Sequence, residues 1–258
     1  MMRERPCIVD GREYDLAGIP DGLYVSQNIA VAGRRGLFVE RHTEALDYAS
    51  RTLLGFGLRQ SAGSIERDIA ALLADNGYPA DGLSYAVVRQ YLSGELMIAA
   101  GDIFPYRERA LRVIFPRAEI VDFDIPVSDV RSSLSEAAVE AARAMVQRQR
   151  PGVQTVIRRN SRGEIVSADG APLFIVSEGC ATAPEPEFPS AEFETAAEAV
   201  LAAGLPLNTG TVDTDMVLAA DELFFADCRG ITAVSSCGGH RYMHLMAARV
   251  GDIFLKNI

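Results

Sequence analysis

Apolar residues recur along this chain with two alternating periods, and the switches between them predict its elements. Cys7-Ile8-Val9 runs into Asp10-Gly11, a pair that readily supplies positive φ, so a small antiparallel hairpin is expected first. Residues 24–31 and 37–39 read as a second strand pair around the glycine-containing loop 32–36. Over 43–58, Ala45, Leu46, Ala49, Leu53 and Leu54 fall at helical spacing, with Gly55 and Gly57 at the exit. A second helix, 64–76, carries the stripe Ile65, Ile69, Leu72 and Leu73, with Ser64 as its N-cap and Gly77 as its left-handed stop. Strands bounded by Gly or Pro follow at 84–91, 96–99 and 110–115.

Ser133 and Glu136 have capping-box spacing ahead of a run of good helix formers, predicting a helix over 137–149 that Pro151 ends. Beyond it, 155–157 and 164–166 flank the turn Asn160-Ser-Arg-Gly163 as a hairpin, and a strand follows at 173–176. The Pro- and Glu-rich stretch 183–189 reads as a loop. It precedes a helix over 191–203, strands at 223–226 and 231–234, and a final helix starting near Arg241. A boundary near 116–130 predicts two α+β lobes, 1–118 and 119–258, meeting at a cleft.

Composition narrows what such lobes do. With 258 residues, 48% of them hydrophobic, the chain buries one large core or two modest ones without metal or disulfide support. A formal charge of −10 and the lack of any Lys/Arg-rich run argue against nucleic acid and anionic membrane surfaces as partners. Cys7, Cys180, Cys228 and Cys237 have neither zinc-site nor disulfide-framework spacing, so free thiols in a reducing cytoplasm are expected. The start Met-Met-Arg-Glu-Arg-Pro has no apolar signal region, and no run approaches the roughly 18 apolar residues of a membrane span, so a cytoplasmic location is expected. Among 25 basic residues the only lysine is Lys256. That scarcity limits the amine chemistry available.

Asp21-Gly-Leu-Tyr24, Leu37-Phe38 followed by His42, Leu173-Phe-Ile-Val176 and Ala220-Asp-Glu-Leu-Phe-Phe225 are the short matches through which the chain resembles the class IV aminotransferases. That family comprises the branched-chain and D-amino-acid aminotransferases and aminodeoxychorismate lyase. Order and spacing carry the resemblance, over about Val9 to Met246. It implies a fold-type IV, two-domain α+β architecture with an interdomain cleft, a homodimer, and pyridoxal phosphate chemistry.

The residues that chemistry needs are replaced. The family's imine-forming lysine falls at Arg131, whose guanidinium stays protonated and is not a primary amine. Its phosphate-binding arginine falls at Ala45. The glutamate it turns toward the pyridine nitrogen falls in Val166-Ser-Ala-Asp169, where Asp169 would serve only with a one-residue shift. The Thr-rich phosphate turn reads Ala226-Asp-Cys-Arg-Gly230, so Asp227 is expected to repel a phosphate. The expectation is therefore an aminotransferase-like protein without its cofactor that has lost pyridoxal phosphate transamination and binds or converts a small anionic metabolite, a carboxylate or amine, in the cleft. Two alternatives stand beside it: a pyridoxal phosphate enzyme that uses Lys256, and a structural, partner-binding protein.

Tyr24, His42, Arg89, Arg131 and Asp169 are the candidate cleft residues. Arg89 alternates with apolar residues along its strand and so points away from the core set; in the resembling family a nearby arginine holds the substrate carboxylate. Arg131 presents a planar fork suited to a carboxylate or phosphate, or pairs with Asp122, Asp124 or Asp129. His42 reads either as ligand-facing or as a capping or core-edge residue just ahead of its helix. His240 and His244 would share one helix face, but Arg241 stands where a metalloprotease motif needs glutamate, so no metal site is expected. No catalytic residue is assigned.

Overall fold

Alternation of apolar and polar residues along two nine-residue strands organises the first half of the protein. A computed structural model describes residues 7–14, 21–104, 110–112 and 114–254. Contacts divide it into two units: the described residues of Met1–Arg107 with Asp129–Ser133 and Phe188–Ala191, and those of Glu108–Ser128, Leu134–Glu187 and Glu192–Ile258.

The first unit contains β1 (Cys7–Val9), β2 (Arg12–Tyr14), β3 (Tyr24–Ala32), β4 (Arg35–Gly36), α1 (Val39–Ala49), α2 (Ala62–Asp75), β5 (Leu83–Tyr91) and β6 (Leu96–Ala100). The strands form one sheet in the order β2-β1-β6-β5-β3-β4. Val25, Ile29 and Val31 of β3, Ala86 and Val88 of β5, and Leu96 and Ile98 of β6 face the apolar stripes of the two helices. Full burial of each large aliphatic side chain in that layer contributes about 1.5–3 kcal/mol.

Helix α1 starts four residues ahead of expectation. Phe38 takes a left-handed conformation (φ 53°) as its N-cap, so Leu37-Phe38-Val39 is a turn into the helix and not a strand. A π-helical turn, Ser50–Leu54, extends it, and Gly55 (φ 84°) ends it. Ser61, not Ser64, caps α2: its Oγ accepts the Ser64 amide at 3.3 Å.

The second unit contains β7 (Leu111–Arg112), β8 (Arg117–Asp122), α3 (Ser133–Gln149, whose first residue belongs to the first unit), β9 (Thr155–Arg159), β10 (Ile165–Ala168), β11 (Leu173–Ser177), β12 (Cys180–Pro184), α4 (Ala191–Ala202, whose first residue also belongs to the first unit), β13 (Leu207–Gly210), α5 (Thr214–Ala219), β14 (Glu222–Asp227), β15 (Gly230–Ala233), β16 (Ser236–Cys237), β17 (His240–Arg241) and α6 (Leu245–Phe254). Two sheets result, β10-β9-β8-β16-β17 and β13-β12-β11-β14-β15-β7. Ile157, Ile165, Ile175, Leu223 and Phe225 interdigitate between them. Val139, Ala142 and Val146 of α3 cover the outer face of the first sheet, against Val121 and Val156. Phe174 and Phe224 stack at 5.2 Å on the outer face of the second, under α4 and α6.

The mixed α+β class expected from the sequence is what the structure shows. Local departures have identifiable causes. The final helix begins at Leu245 because Gly238 and Gly239, both at positive φ, turn β16 into β17 as a two-residue hairpin. His240 is thus a strand residue bonded through Nε2 to the Ala220 carbonyl at 2.9 Å, while His244 packs on Phe115, so the two histidines do not share a helix face. Gly230 (φ 101°) admits the close approach of β7, since a Cβ there would meet the Ala110 oxygen. Among the described residues no helix is long and apolar enough to cross a membrane.

Candidate functional site

Cross-strand register gathers three of the five sequence candidates on one face of the first unit's sheet. β3 and β5 pair antiparallel with Tyr24 opposite Tyr91 and Ser26 opposite Arg89. Paired residues share a face, and successive residues alternate. Tyr24, Ser26, Arg89 and Tyr91 therefore lie on the face away from α1 and α2, while Val25, Ile29 and Val88 fill the helix side.

The segment containing Arg131 extends this arrangement. Val25 bridges antiparallel to Ser132, the Ser26 amide donates to the Arg131 carbonyl at 3.2 Å, and the Tyr24 amide donates to Ser133 Oγ at 3.4 Å. Val130 enters the helix-side core, so alternation puts Arg131 on the opposite face, beside Ser26. Arg131, Ser26 and Arg89 form a row in which the two arginine Cα atoms are roughly 10 Å apart, two inter-strand spacings.

Arg89 packs against an aromatic pair. Its guanidinium carbon lies 4.4 Å from the Tyr24 ring centre, and the Tyr24 and Tyr91 rings approach at 5.3 Å. Tyr91 donates to Met97 Sδ at 3.8 Å. Burial pushes its phenol pKa up, while a hydrogen bond with Arg89 pulls it down. The two tyrosines restrict Arg89.

His42 does not join them. It lies inside α1, not ahead of it, and is buried with Nδ1 3.0 Å from Gln27 Oε1, on the helix side of β3. This is a core polar pair. Asp169, in the second unit, is also occupied: at φ 50° it accepts the Val156 amide at 3.0 Å and pairs with Arg143 at 3.1 Å. Its carboxylate fixes the turn after β10.

The positions the resemblance assigns to pyridoxal phosphate can be tested in the same terms. Arg131 offers no imine-forming amine, and Lys256 lies outside the described residues. Ala45 is buried in the core-facing stripe of α1. Asp227 binds the Arg229 amide at 2.8 Å and the Arg229 guanidinium, which offsets its charge. At the pyridine-facing stretch, Ser167 pairs across β10 and β9 with Arg158, which is 3% exposed and ion-paired with Glu187. These residues do not fit an imine-linked cofactor, and no step through one is derived.

Sequence reasoning missed the Arg158–Glu187 pair. Arg158 adjoins Arg159 and reads like one of two strand-surface charges, although Arg159 alone reaches the periphery, where it pairs with Asp122.

No protein-family model matches the chain, and no curated protein matches it. Solved structures do. The T.th. branched-chain amino acid aminotransferase complexed with N-(5'-phosphopyridoxyl)-L-glutamate aligns with TM-score 0.79 at 14% identity, covering 99% of this chain and 94% of its own. The branched-chain aminotransferase of Thermoproteus uzoniensis with norvaline gives 0.78 at 20% identity, covering 97% and 93%. That of Escherichia coli gives 0.77 at 15%, covering 96% and 92%. At these identities the likeness shows the fold, that of the fold-type IV aminotransferases. It also corrects one expectation. The T.th. enzyme is seen with a phosphopyridoxyl compound and with pyridoxamine 5'-phosphate, so the expectation of no cofactor, drawn from replaced residues, is withdrawn.

Proposed function

We propose that this chain is an aminotransferase-fold protein that takes a small anionic metabolite through Arg89 and Arg131 and does not transaminate through an imine at position 131. The observation that supports this is the row Arg131–Ser26–Arg89 on the face of the first unit's sheet that lies away from α1 and α2. Arginine cannot form the imine, yet its fixed donor fork suits a carboxylate or phosphate. Pyridoxal phosphate, which the solved neighbours direct attention to, is itself such an anion; here ionic contacts rather than a covalent bond to residue 131 would hold it. A homodimer belongs to the same proposal.

Isothermal titration with pyridoxal phosphate, succinate and L-glutamate tests the reading. At least one is expected to bind, and Arg89→Met or Arg131→Met to weaken it about tenfold or more, about 1.4 kcal/mol. Folded variants that bind as the wild type does would refute it. Light scattering on the same samples checks the dimer.

The cofactor complexes of the solved neighbours favour a second reading, a pyridoxal phosphate enzyme whose amine comes from Lys256. Under it, Lys256→Ala abolishes activity.

A further inference from the structure

Arg158 is the one arginine among the described residues that is fully buried. A guanidinium in that position needs acceptors for its N–H groups, because buried donors left unpaired are costly. Glu187, from the loop after β12, takes Nη2. Nε is also buried, and no acceptor meets it. Across the ladder Arg158 pairs with Val121 on one side and Ser167 on the other, and a bulge between Ile165 and Ser167 shifts the register there. Bulges re-aim the side chains beside them. Ser167 brings a half-buried hydroxyl to the face that Arg158 occupies.

We propose that Arg158 is the centre of an oxyanion site within the second unit, where a carboxylate or phosphate oxygen accepts from Nε–H with Ser167 beside it. The open donor of a buried cation carries this inference.

Glu187 is the internal competitor. Burial pushes its carboxyl pKa up, Arg158 and Arg162 pull it down, and Asp124 adds to the upward push. An anion arriving beside Glu187 favours its protonated form, so binding strengthens as pH falls. With Glu187→Gln that dependence is lost, while the donor on Arg158 remains.

The test uses the full chain in an Arg89→Met/Arg131→Met background, with inorganic phosphate and succinate as separate titrants. Calorimetry at about pH 5.5 and about pH 8 should detect at least one of them, weakening about tenfold across that interval. Adding Arg158→Met/Glu187→Met, an apolar pair chosen to keep the buried volume filled, should abolish that binding with the circular dichroism of the fold unchanged. Adding Glu187→Gln alone should keep it and flatten its pH dependence. The titrant that responds shows whether phosphate or carboxylate is preferred. No binding in the background, or binding that survives Arg158→Met/Glu187→Met, overturns the site. The reading for Arg89 and Arg131 fails separately, if wild type and background bind alike.

Discussion

The Arg89 guanidinium carbon sits 4.4 Å from the centre of the Tyr24 ring, so a strand tyrosine holds the cation that the proposed ligand would meet. Stacking of this kind is worth about 0.5–2 kcal/mol. Tyr24→Leu is therefore expected to weaken anion binding about fivefold, near 1 kcal/mol, while Tyr24→Phe, which keeps the ring, stays close to wild type. Calorimetry with the anion that binds wild type checks this. Equal weakening by both changes would assign the effect to the hydroxyl instead.

Glu222 reaches from β14 to the start of α6 and accepts the Met246 and Ala247 amides at 2.9 and 3.0 Å. A buried carboxylate bonded to helix N-terminal amides both caps the helix and meets its positive end. Glu222→Ala should cost about 2–3 kcal/mol, and Glu222→Gln less. Urea unfolding measures the difference; a change under about 0.5 kcal/mol would mean that solvent replaces the cap.

The thiols should divide sharply. Cys7, Cys228 and Cys237 are buried, and Cys180 is partly exposed. Burial pushes the Cys237 thiol up to about 11, with Glu119 adding to it, so little thiolate forms near neutrality. One fast-reacting thiol per chain is expected in native conditions, at Cys180, with the other three reacting on unfolding. Iodoacetamide labelling followed by peptide mapping reads this directly.

Asp47 ties α1 to the segment beyond it by accepting the Leu58 amide at 2.7 Å and Arg51 Nε at 2.6 Å. Arg51 first, then the Leu58 amide, lowers its pKa below 3.8, against the opposing effect of burial. A lowered folded value means that the ionised form stabilises the fold above the unfolded pKa, and that this is lost as pH falls through the folded one. Asp47→Asn should therefore reduce stability at neutral pH and matter least in acid. Thermal unfolding of both proteins across that range gives the sign, and a deficit independent of pH would contradict it.

Much of this architecture could be read from the chain, for physical reasons that also explain the exceptions. Ile65, Ile69, Leu72 and Leu73 form a stripe with a single helical interpretation, and they are buried as α2 requires. Leu37-Phe38-Val39 is apolar enough for a strand, but the left-handed Phe38 makes it the start of α1, a backbone choice invisible to periodicity. β8 escaped notice because Arg117, Glu119 and Asp122 interrupt its apolar positions, and its pairing with β9 is a parallel contact across α3. At the site, alternation alone pointed Arg89 away from the core. The partners of His42 and Asp169, Gln27 and Val156, lie 15 and 13 residues away, beyond the reach of periodicity. Arg158 was hidden for the same reason, its counter-charge Glu187 lying 29 residues on in a proline-containing loop.

Covalent trapping tests the central claim most directly. Wild type and Arg131→Lys are incubated with pyridoxal phosphate, reduced with borohydride, and analysed by intact mass and peptide mapping. The account predicts no pyridoxyl adduct on the wild-type chain and a single adduct at residue 131 of Arg131→Lys. A reduced adduct on wild-type Lys256 would contradict it and establish an imine-based chemistry at that lysine.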